Sequence, residues 1–134
     1  MGESVPYSSA IADHFRRPRN YGALPNATAH AEGVNPLCGD RVRIALTTDA
    51  DRTIVDARFT ANACAITVAA ASLLTERVRG MSSDAAVSLE DEEMFSLVGS
   101  GVPPARRRCA MLPLETLRRA LAVTSDDRSA SAAP

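Results

Sequence analysis

The sequence contains no lysine and no tryptophan, and all 15 of its basic residues are arginine. Enzymes that form a Schiff base with a carbonyl substrate or with pyridoxal phosphate use a lysine amine for that bond. This chain therefore cannot form a lysine Schiff base. If it takes part in a reaction that depends on pyridoxal phosphate, another protein must hold that cofactor.

Excess charge and long apolar segments are also lacking. The 16 acidic residues nearly balance the arginines, and a formal net charge of −1 gives no general affinity for nucleic acid or anionic lipid. No apolar run approaches the length of a membrane span, and the first residues lack the basic and then apolar order of a secretory signal. We therefore expect a single domain in the cytoplasm, with neither a nucleic-acid partner nor a membrane partner.

Cysteine occurs only three times, and this odd number excludes complete disulfide pairing within the chain. Cys38 and Asp40 are separated by one glycine, which allows a tight backbone turn between a thiol and a carboxylate. Cys64 and Cys109 supply two further thiols. Thiolates and a carboxylate form a donor set for zinc or iron, or a place to hold sulfur as a persulfide. The working interpretation is a reactive or metal-binding cluster of these three thiols and the carboxylate.

A predicted β-hairpin brings two of these motifs together. Apolar residues alternate with polar ones over residues 42–47 and again over residues 55–60, as expected for half-buried strands. The polar segment 49–52 between them has the composition of a turn. Positions equally distant from the turn lie opposite each other, so the segment around Asp40 meets the segment around Cys64. The sequence therefore predicts that two thiols and the carboxylate converge at one end of the sheet.

Helical patterns account for much of the remaining chain. Short helices are predicted over residues 8–16 and within residues 82–99. A longer helix opens at Cys64, where the positive end of the helix dipole favours a thiolate. Three adjacent arginines precede Cys109, and their charge is expected to hold it partly as thiolate. A closing amphipathic helix is predicted to start at Pro113, because proline is favoured at the first helical position.

The other segments carry weaker signals. A strand is predicted in the alanine-rich segment 27–34. His14 and His30 are interpreted as structural or surface residues, because neither stands at ligand spacing from a cysteine. The composition then divides the chain into a domain over residues 1–123 and a disordered tail over residues 124–134.

Four segments together resemble one protein family. They are the opening segment 7–22, Cys38-Gly39-Asp40, the segment 63–80 that contains Cys64 and its helix, and Cys109 with Leu112. In this order they are similar to the IscU/NifU/SufU family of iron–sulfur cluster assembly proteins. The resemblance extends over about residues 7–122 and includes all three cysteines.

The resemblance implies an α+β fold, in which a three-stranded antiparallel sheet carries helices on one face and a metal site at one end. Its implied ligands are Cys38, Asp40, Cys64 and Cys109. In IscU-type scaffolds, a separate cysteine desulfurase supplies sulfur, an iron donor supplies iron, and a transient [2Fe-2S] cluster passes to recipient apoproteins. By this resemblance, Cys38 and Cys109 are the candidate sulfur acceptors, and Asp40 is the labile ligand.

Departures from the family pattern keep a second function open. IscU-type scaffolds have a histidine directly before the third cysteine, whereas this chain has Arg108, which cannot ligate a metal. Arginine there is similar to SufU-type zinc-dependent sulfurtransferases, although this chain lacks their insertion between the second and third cysteines. The alternatives are a non-catalytic cluster scaffold, a zinc-dependent sulfurtransferase, and a degenerate homologue that only binds a desulfurase. Residues 102–106 differ from the loop that IscU-type scaffolds present to a dedicated Hsp70-like chaperone, which argues against that partner.

Overall fold

The computed structural model describes residues 8–37 and 39–132, with side chains described as far as residue 122. The elements follow in the order α1 (Ser9–Arg16), β1 (Ala29–Asn35), β2 (Asp40–Thr48), β3 (Ile54–Asn62), α2 (Ala65–Val78), α3 (Ser83–Val87), α4 (Asp91–Val98) and α5 (Arg107–Ala132). A short 3₁₀ turn, Pro104–Arg106, leads directly into α5. None of the helices in the described part of the chain has both the length and the apolar character needed to cross a membrane.

The three strands form one antiparallel sheet in the order β1-β2-β3. The predicted hairpin is confirmed, since β2 pairs with β3 and Ile44 lies opposite Phe59. The weaker strand signal is also confirmed, because β1 pairs with the other edge of β2. Alternate residues of β2 point into the core, where Val42, Ile44 and Leu46 are fully buried. The α+β fold with a three-stranded antiparallel sheet is therefore confirmed.

The helices cover one face of this sheet. Helix α5 packs against β1 and β2, and α2 packs between β3 and α5. Helices α1 and α4 lie on α2 in turn. Because α2 has neighbours on several sides, nearly every residue from Ile66 to Thr75 is buried. Helix α2 is thus the central helix of the domain, and its first turn has a fixed position relative to the sheet.

Helix α5 lies especially close to β1 at Gly33. A Cβ atom at this position would overlap the Thr116 hydroxyl and would stand 3.2 Å from Leu112 Cδ1. Interiors packed at native density leave no room for such an atom without movement of the helix. Glycine at residue 33 therefore sets the distance between α5 and the sheet.

The start predicted for the last helix was wrong. Helix α5 begins at Arg107 and contains Pro113 inside it, although a proline within a helix cannot donate the usual hydrogen bond. Residues 109–112 are all buried, and their packing outweighs the local cost of the proline. The helix continues to Ala132 and so includes residues 124–132, where the composition predicts a disordered tail. Alanine favours helix there, and extension of an existing helix needs no new nucleation.

The two histidines occupy the structural and surface positions expected for them. His14 is buried in α1, and its Nδ1 lies 2.7 Å from the Ser72 hydroxyl of α2. Burial lowers the pKa of His14 below its usual value, and the positive charge of Arg19 lowers it further. His30 is exposed on β1. His14 thus links α1 to α2 as a neutral hydrogen-bonding group.

Candidate metal centre

Side chains from three elements meet at one end of the sheet. Asp40 is the first residue of β2, Cys64 is the N-cap of α2, and Cys109 lies in the first turn of α5. One carboxylate oxygen and the two sulfur atoms all lie within 4.8 Å of one another. The fourth predicted donor, Cys38, lies outside the described residues, so its place in this cluster stays a prediction.

The hairpin register brings Asp40 to Cys64, as the sequence predicted. Arg41 pairs with Asn62, so Asp40 lies beside the segment that leaves β3 towards α2. The Cys64 amide donates a hydrogen bond of 3.1 Å to Asp40 Oδ1. On the other side of Asp40, Gly39 has a φ of 75° and donates from its amide to the last residue of β1 at 2.8 Å. That left-handed conformation favours glycine and closes the turn between β1 and β2.

A buried threonine, which the sequence patterns did not single out, also contacts Asp40. Thr67, in the first turn of α2, donates from its hydroxyl to Asp40 Oδ2 at 3.0 Å. The same hydroxyl lies 3.3 Å from the Cys109 carbonyl oxygen and 3.6 Å from Cys64 Sγ. The signal was present in the sequence, because Thr67 is the one polar residue in the apolar run 65–71.

Among the three adjacent arginines, Arg106 is the one that faces the thiols. Its guanidinium group interacts with Cys109 and Cys64, and these interactions raise the pKa of Arg106. Arg107 stacks over an aromatic ring of α4 at 4.3 Å, and Arg108 lines a surface depression of about 160 Å³ beside the end of β1. Adjacent helical residues point about 100° apart, whereas residues three apart share a face. The expectation that all three arginines act on Cys109 was therefore wrong.

The predicted thiolate character of Cys109 was also wrong for the protein without metal. Burial raises the pKa of Cys109 to about 12, and Asp40 and Cys64 shift it in the same direction. The desolvated site disfavours a second negative charge next to the carboxylate. A metal cation would reverse this balance, because thiolate is the form that binds metal and binding releases the proton.

The donors present fit a thiophilic metal. Tetrahedral zinc, at about 2.3 Å from sulfur, holds its ligand atoms about 3.8 Å apart. Atoms within 4.8 Å of one another need to approach by at most about 1 Å to reach that geometry. Asp40 and Cys109 are buried, while Cys64 is half-buried and leaves the cluster open to solvent on one side. An ion or a small cluster can therefore reach the donors without unfolding of the core.

Comparison with known sequences assigns the chain to a protein family. Residues 6–129 match the family model described as the NifU-like N terminal domain. The iron–sulfur cluster assembly scaffold protein IscU of Aquifex aeolicus is 34% identical over 119 residues, which cover 88% of this chain and 75% of that protein. The zinc-dependent sulfurtransferase SufU of Bacillus subtilis is 32% identical over 133 residues, which cover 87% of this chain and 89% of that protein.

A solved structure agrees with the sequence comparisons. It is the crystal structure of a candidate iron–sulfur cluster assembly scaffold protein for the SUF system from Fervidobacterium islandicum AW-1. The similarity has a TM-score of 0.73 at 29% sequence identity and covers 90% of this chain and 99% of that chain. With the matching fold and the converging thiols and carboxylate, these comparisons show that the chain belongs to the NifU-like N-terminal domain family.

Proposed function

We propose that this protein is a scaffold on which sulfur and iron are assembled into a transient [2Fe-2S] cluster. The observation that carries the proposal is the approach of Asp40, Cys64 and Cys109 to within 4.8 Å of one another. Together with Cys38, they supply three soft thiolate donors and one hard oxygen donor. Thiolates hold iron–sulfur clusters, and the poorly matched carboxylate lets the cluster leave.

Sulfur would reach the site by thiol–persulfide exchange. A thiolate of this chain, on Cys38 or Cys109, attacks the outer sulfur of a persulfide carried by a cysteine desulfurase. One S–S bond forms, the S–S bond to the desulfurase breaks, and the desulfurase cysteine leaves as thiolate. Reduction of the transferred sulfur to sulfide takes two electrons, which a separate reductant supplies. The chain therefore needs no lysine and no pyridoxal phosphate of its own.

The partners in this proposal are a cysteine desulfurase, an iron donor and recipient apoproteins. The scaffold and sulfurtransferase relatives support a desulfurase partner. We place the protein in the cytoplasm, where thiols stay reduced. A dedicated Hsp70-like chaperone is not included, because residues 102–106 differ from the loop that such a chaperone recognises in IscU-type scaffolds.

Anaerobic reconstitution tests the scaffold proposal. The full chain is incubated with a desulfurase, cysteine, ferrous iron and dithiothreitol, and its visible spectrum and its iron and sulfide contents are measured. We expect iron and sulfide in equal amounts, lost in Cys64→Ala and Cys109→Ala and kept in Thr75→Val, which alters the far end of α2. A parent chain that binds only zinc and never holds sulfide would contradict the scaffold proposal.

A zinc-dependent sulfurtransferase is the second candidate function. It is favoured by Arg108, which stands where IscU-type scaffolds have a histidine and lines a depression on the surface. Zinc bound to the thiolates and Asp40 would hold the cysteines in their nucleophilic form until one exchanges off the metal. This candidate predicts that the purified protein contains zinc and transfers sulfur without assembling a cluster.

The position of the accepted sulfur separates the two candidates. Without a desulfurase, free cysteine and reductant are expected to yield no sulfide, because the chain has no lysine. With a desulfurase, mass spectrometry of the digested protein is expected to find the persulfide on Cys109 for a scaffold, or on Cys38 for a sulfurtransferase. A persulfide found only on Cys64 would contradict both assignments.

Substitution of Asp40 tests its role as the labile ligand. We expect a [2Fe-2S] cluster on Asp40→Ala to last longer than on the parent chain and to transfer more slowly to an apo-ferredoxin, because the hard donor is gone. The measurement is the decay of the visible absorbance with and without the acceptor. Glu32→Ala, on the exposed face of β1, is the control for loss of a carboxylate. Equal lifetimes in parent and Asp40→Ala would exclude this role.

A further inference from the structure

The Thr67 hydroxyl touches all three segments that carry the described donors. It lies 3.0 Å from Asp40 Oδ2 at the start of β2 and 3.3 Å from the Cys109 carbonyl in α5. It also lies 3.6 Å from Cys64 Sγ at the start of its own helix. The side chain is fully buried, so water does not compete for these contacts. Thr67 is therefore placed to influence how the donors are arranged relative to one another.

A hydroxyl can donate only one hydrogen bond at a time. We expect Thr67 to donate it to Asp40. The carboxylate oxygen is closer than the Cys109 carbonyl, at 3.0 Å against 3.3 Å. A hydrogen bond to a charged acceptor is also about twice as strong as one between neutral groups. The lone pairs of the hydroxyl then remain available to the Cys64 thiol. The main effect of Thr67 thus falls on the carboxylate.

In the metal-free protein, the Cys109 side chain also forms a hydrogen bond with Asp40, but a thiol gives up its proton when it binds a metal. Two donors to Asp40 then remain, one on each oxygen. The Cys64 amide binds Oδ1, and the Thr67 hydroxyl binds Oδ2. The terminal torsion of an aspartate is otherwise broad, so a carboxylate with a single donor can rotate about its Cβ–Cγ bond. The Cys64 donor belongs to the backbone and is present whatever side chain occupies that residue. Thr67 is therefore the side chain whose replacement releases the carboxylate.

We propose that Thr67 is a positioning residue that orients Asp40 as a metal ligand towards the sulfur atoms of Cys64 and Cys109. The inference rests on the proposed metal-binding function, and it deepens that function by assigning a role to a residue that binds no metal itself. Groups that orient a metal ligand typically contribute about 10- to 100-fold to metal affinity. If this assignment is right, replacing Thr67 changes the metal affinity only when Asp40 is present.

Zinc affinity of the metal-free full chain tests this proposal. Zinc alone is the probe, and its dissociation constant is measured by competition with a chromophoric chelator. We expect Thr67→Val, which keeps the shape but removes the hydroxyl, to weaken zinc binding by at least about tenfold. Thr67→Ser should restore the parent affinity because it restores the hydroxyl. Thr75→Val is the matched control, since Thr75 is also buried in α2 and its hydroxyl contacts the carbonyls of Ala71 and Ser72.

Repeating the Thr67 substitution in a chain that lacks the Asp40 carboxylate shows whether Thr67 acts through Asp40. In Asp40→Ala, the further change Thr67→Val is expected to leave the zinc affinity unchanged, because the ligand that it orients is absent. The same fold loss in both backgrounds would overturn the proposal, since it would mean that Thr67 acts independently of Asp40, through packing or through its contacts with Cys64 and Cys109. If Thr67→Val does not fold, Thr67→Ala carries the same expectation, because it also lacks the hydroxyl and suits a helix.

The outcomes separate this inference from the proposed function. If the parent chain binds zinc and Thr67→Val binds it equally well, the inference fails and the metal site stands. If the parent chain binds neither zinc nor iron, while far-UV circular dichroism shows that it is folded, the proposed function fails and the inference fails with it. A tenfold loss in Thr67→Val, recovered in Thr67→Ser and absent without Asp40, supports both.

Discussion

Iodoacetamide is expected to alkylate Cys109 of the metal-free protein at least about thirtyfold more slowly than in the chain unfolded by urea at pH 8. Burial and the neighbouring Asp40 and Cys64 raise the pKa of Cys109 from an ordinary 9.0 to about 12. The thiolate fraction then falls by about a thousandfold, because each pKa unit is a factor of ten. A more basic thiolate is intrinsically more nucleophilic, which offsets part of the rate lost with the lower thiolate fraction. Peptide mass spectrometry after timed pulses measures the rate at this one cysteine.

Two arginine variants serve as matched controls for the local charge. Arg106→Ala removes the guanidinium group that interacts with Cys109, so we expect still slower alkylation. Arg108→Ala should leave the rate unchanged, because that side chain lines a depression on another face of α5. An equal effect of the two substitutions would contradict the assignment of Arg106, and a native rate close to the unfolded rate would contradict the raised pKa.

The same pKa shift has a consequence for stability with a definite sign. In the metal-free protein, the unfolded chain loses the Cys109 proton near pH 9.0, while the folded chain keeps it until about pH 12. Between these values the unfolded state binds fewer protons, so the free energy of unfolding falls as the pH rises. Below pH 9.0 both states keep the proton, and this contribution to stability is fully present.

Gly33→Ala is expected to destabilise the fold by about 3 kcal/mol, at the upper end of the usual cost of overpacking. The added Cβ would overlap the Thr116 hydroxyl and press on Leu112, so α5 must move away from β1. Because α5 also carries Cys109, we expect weaker zinc binding in the same variant. Urea unfolding of the metal-free protein measures the free energy, and chelator competition measures the binding.

Partial rescue by a second substitution tests the proposed cause. Thr116→Ala removes the hydroxyl that meets the new Cβ, so Gly33→Ala should cost less in that background than in the parent chain. The Thr116 hydroxyl also donates to the Leu112 carbonyl, and the single variant Thr116→Ala corrects for loss of that bond. Strict additivity of the two substitutions would mean that the overlap with Thr116 is not the source of the destabilisation.

The approach of Asp40 to Cys64 could be predicted from local sequence signals. Two alternating segments and one polar turn set the register of the hairpin, and that register brings the residues outside the two strand ends together. The N-caps of α1 and α3, Ser8 and Ser82, are equally local features, because each hydroxyl accepts a hydrogen bond from an amide in the first turn of its own helix. These features depend on neighbours along the chain or across one turn.

The place of Cys109 could not be read from the sequence in the same way. Pro113 indicated a helix start, yet packing of residues 109–112 against the core begins the helix earlier, at Arg107. That earlier start buries Cys109, turns Arg106 towards the thiols and turns Arg108 away. The pKa of Cys109 rises as a result, opposite to the direction that its arginine neighbours suggested.

The sequence by itself determined which residue types form the donor set and which two of their segments meet, because a hairpin turns the spacing of residues into proximity. Only the tertiary structure decided how α5 reaches the same end of the sheet and how the Thr67 hydroxyl comes within hydrogen-bonding distance of Asp40. Those contacts join segments that are distant in the chain. Desolvation and helix packing, which fix them, depend on all the surrounding elements at once.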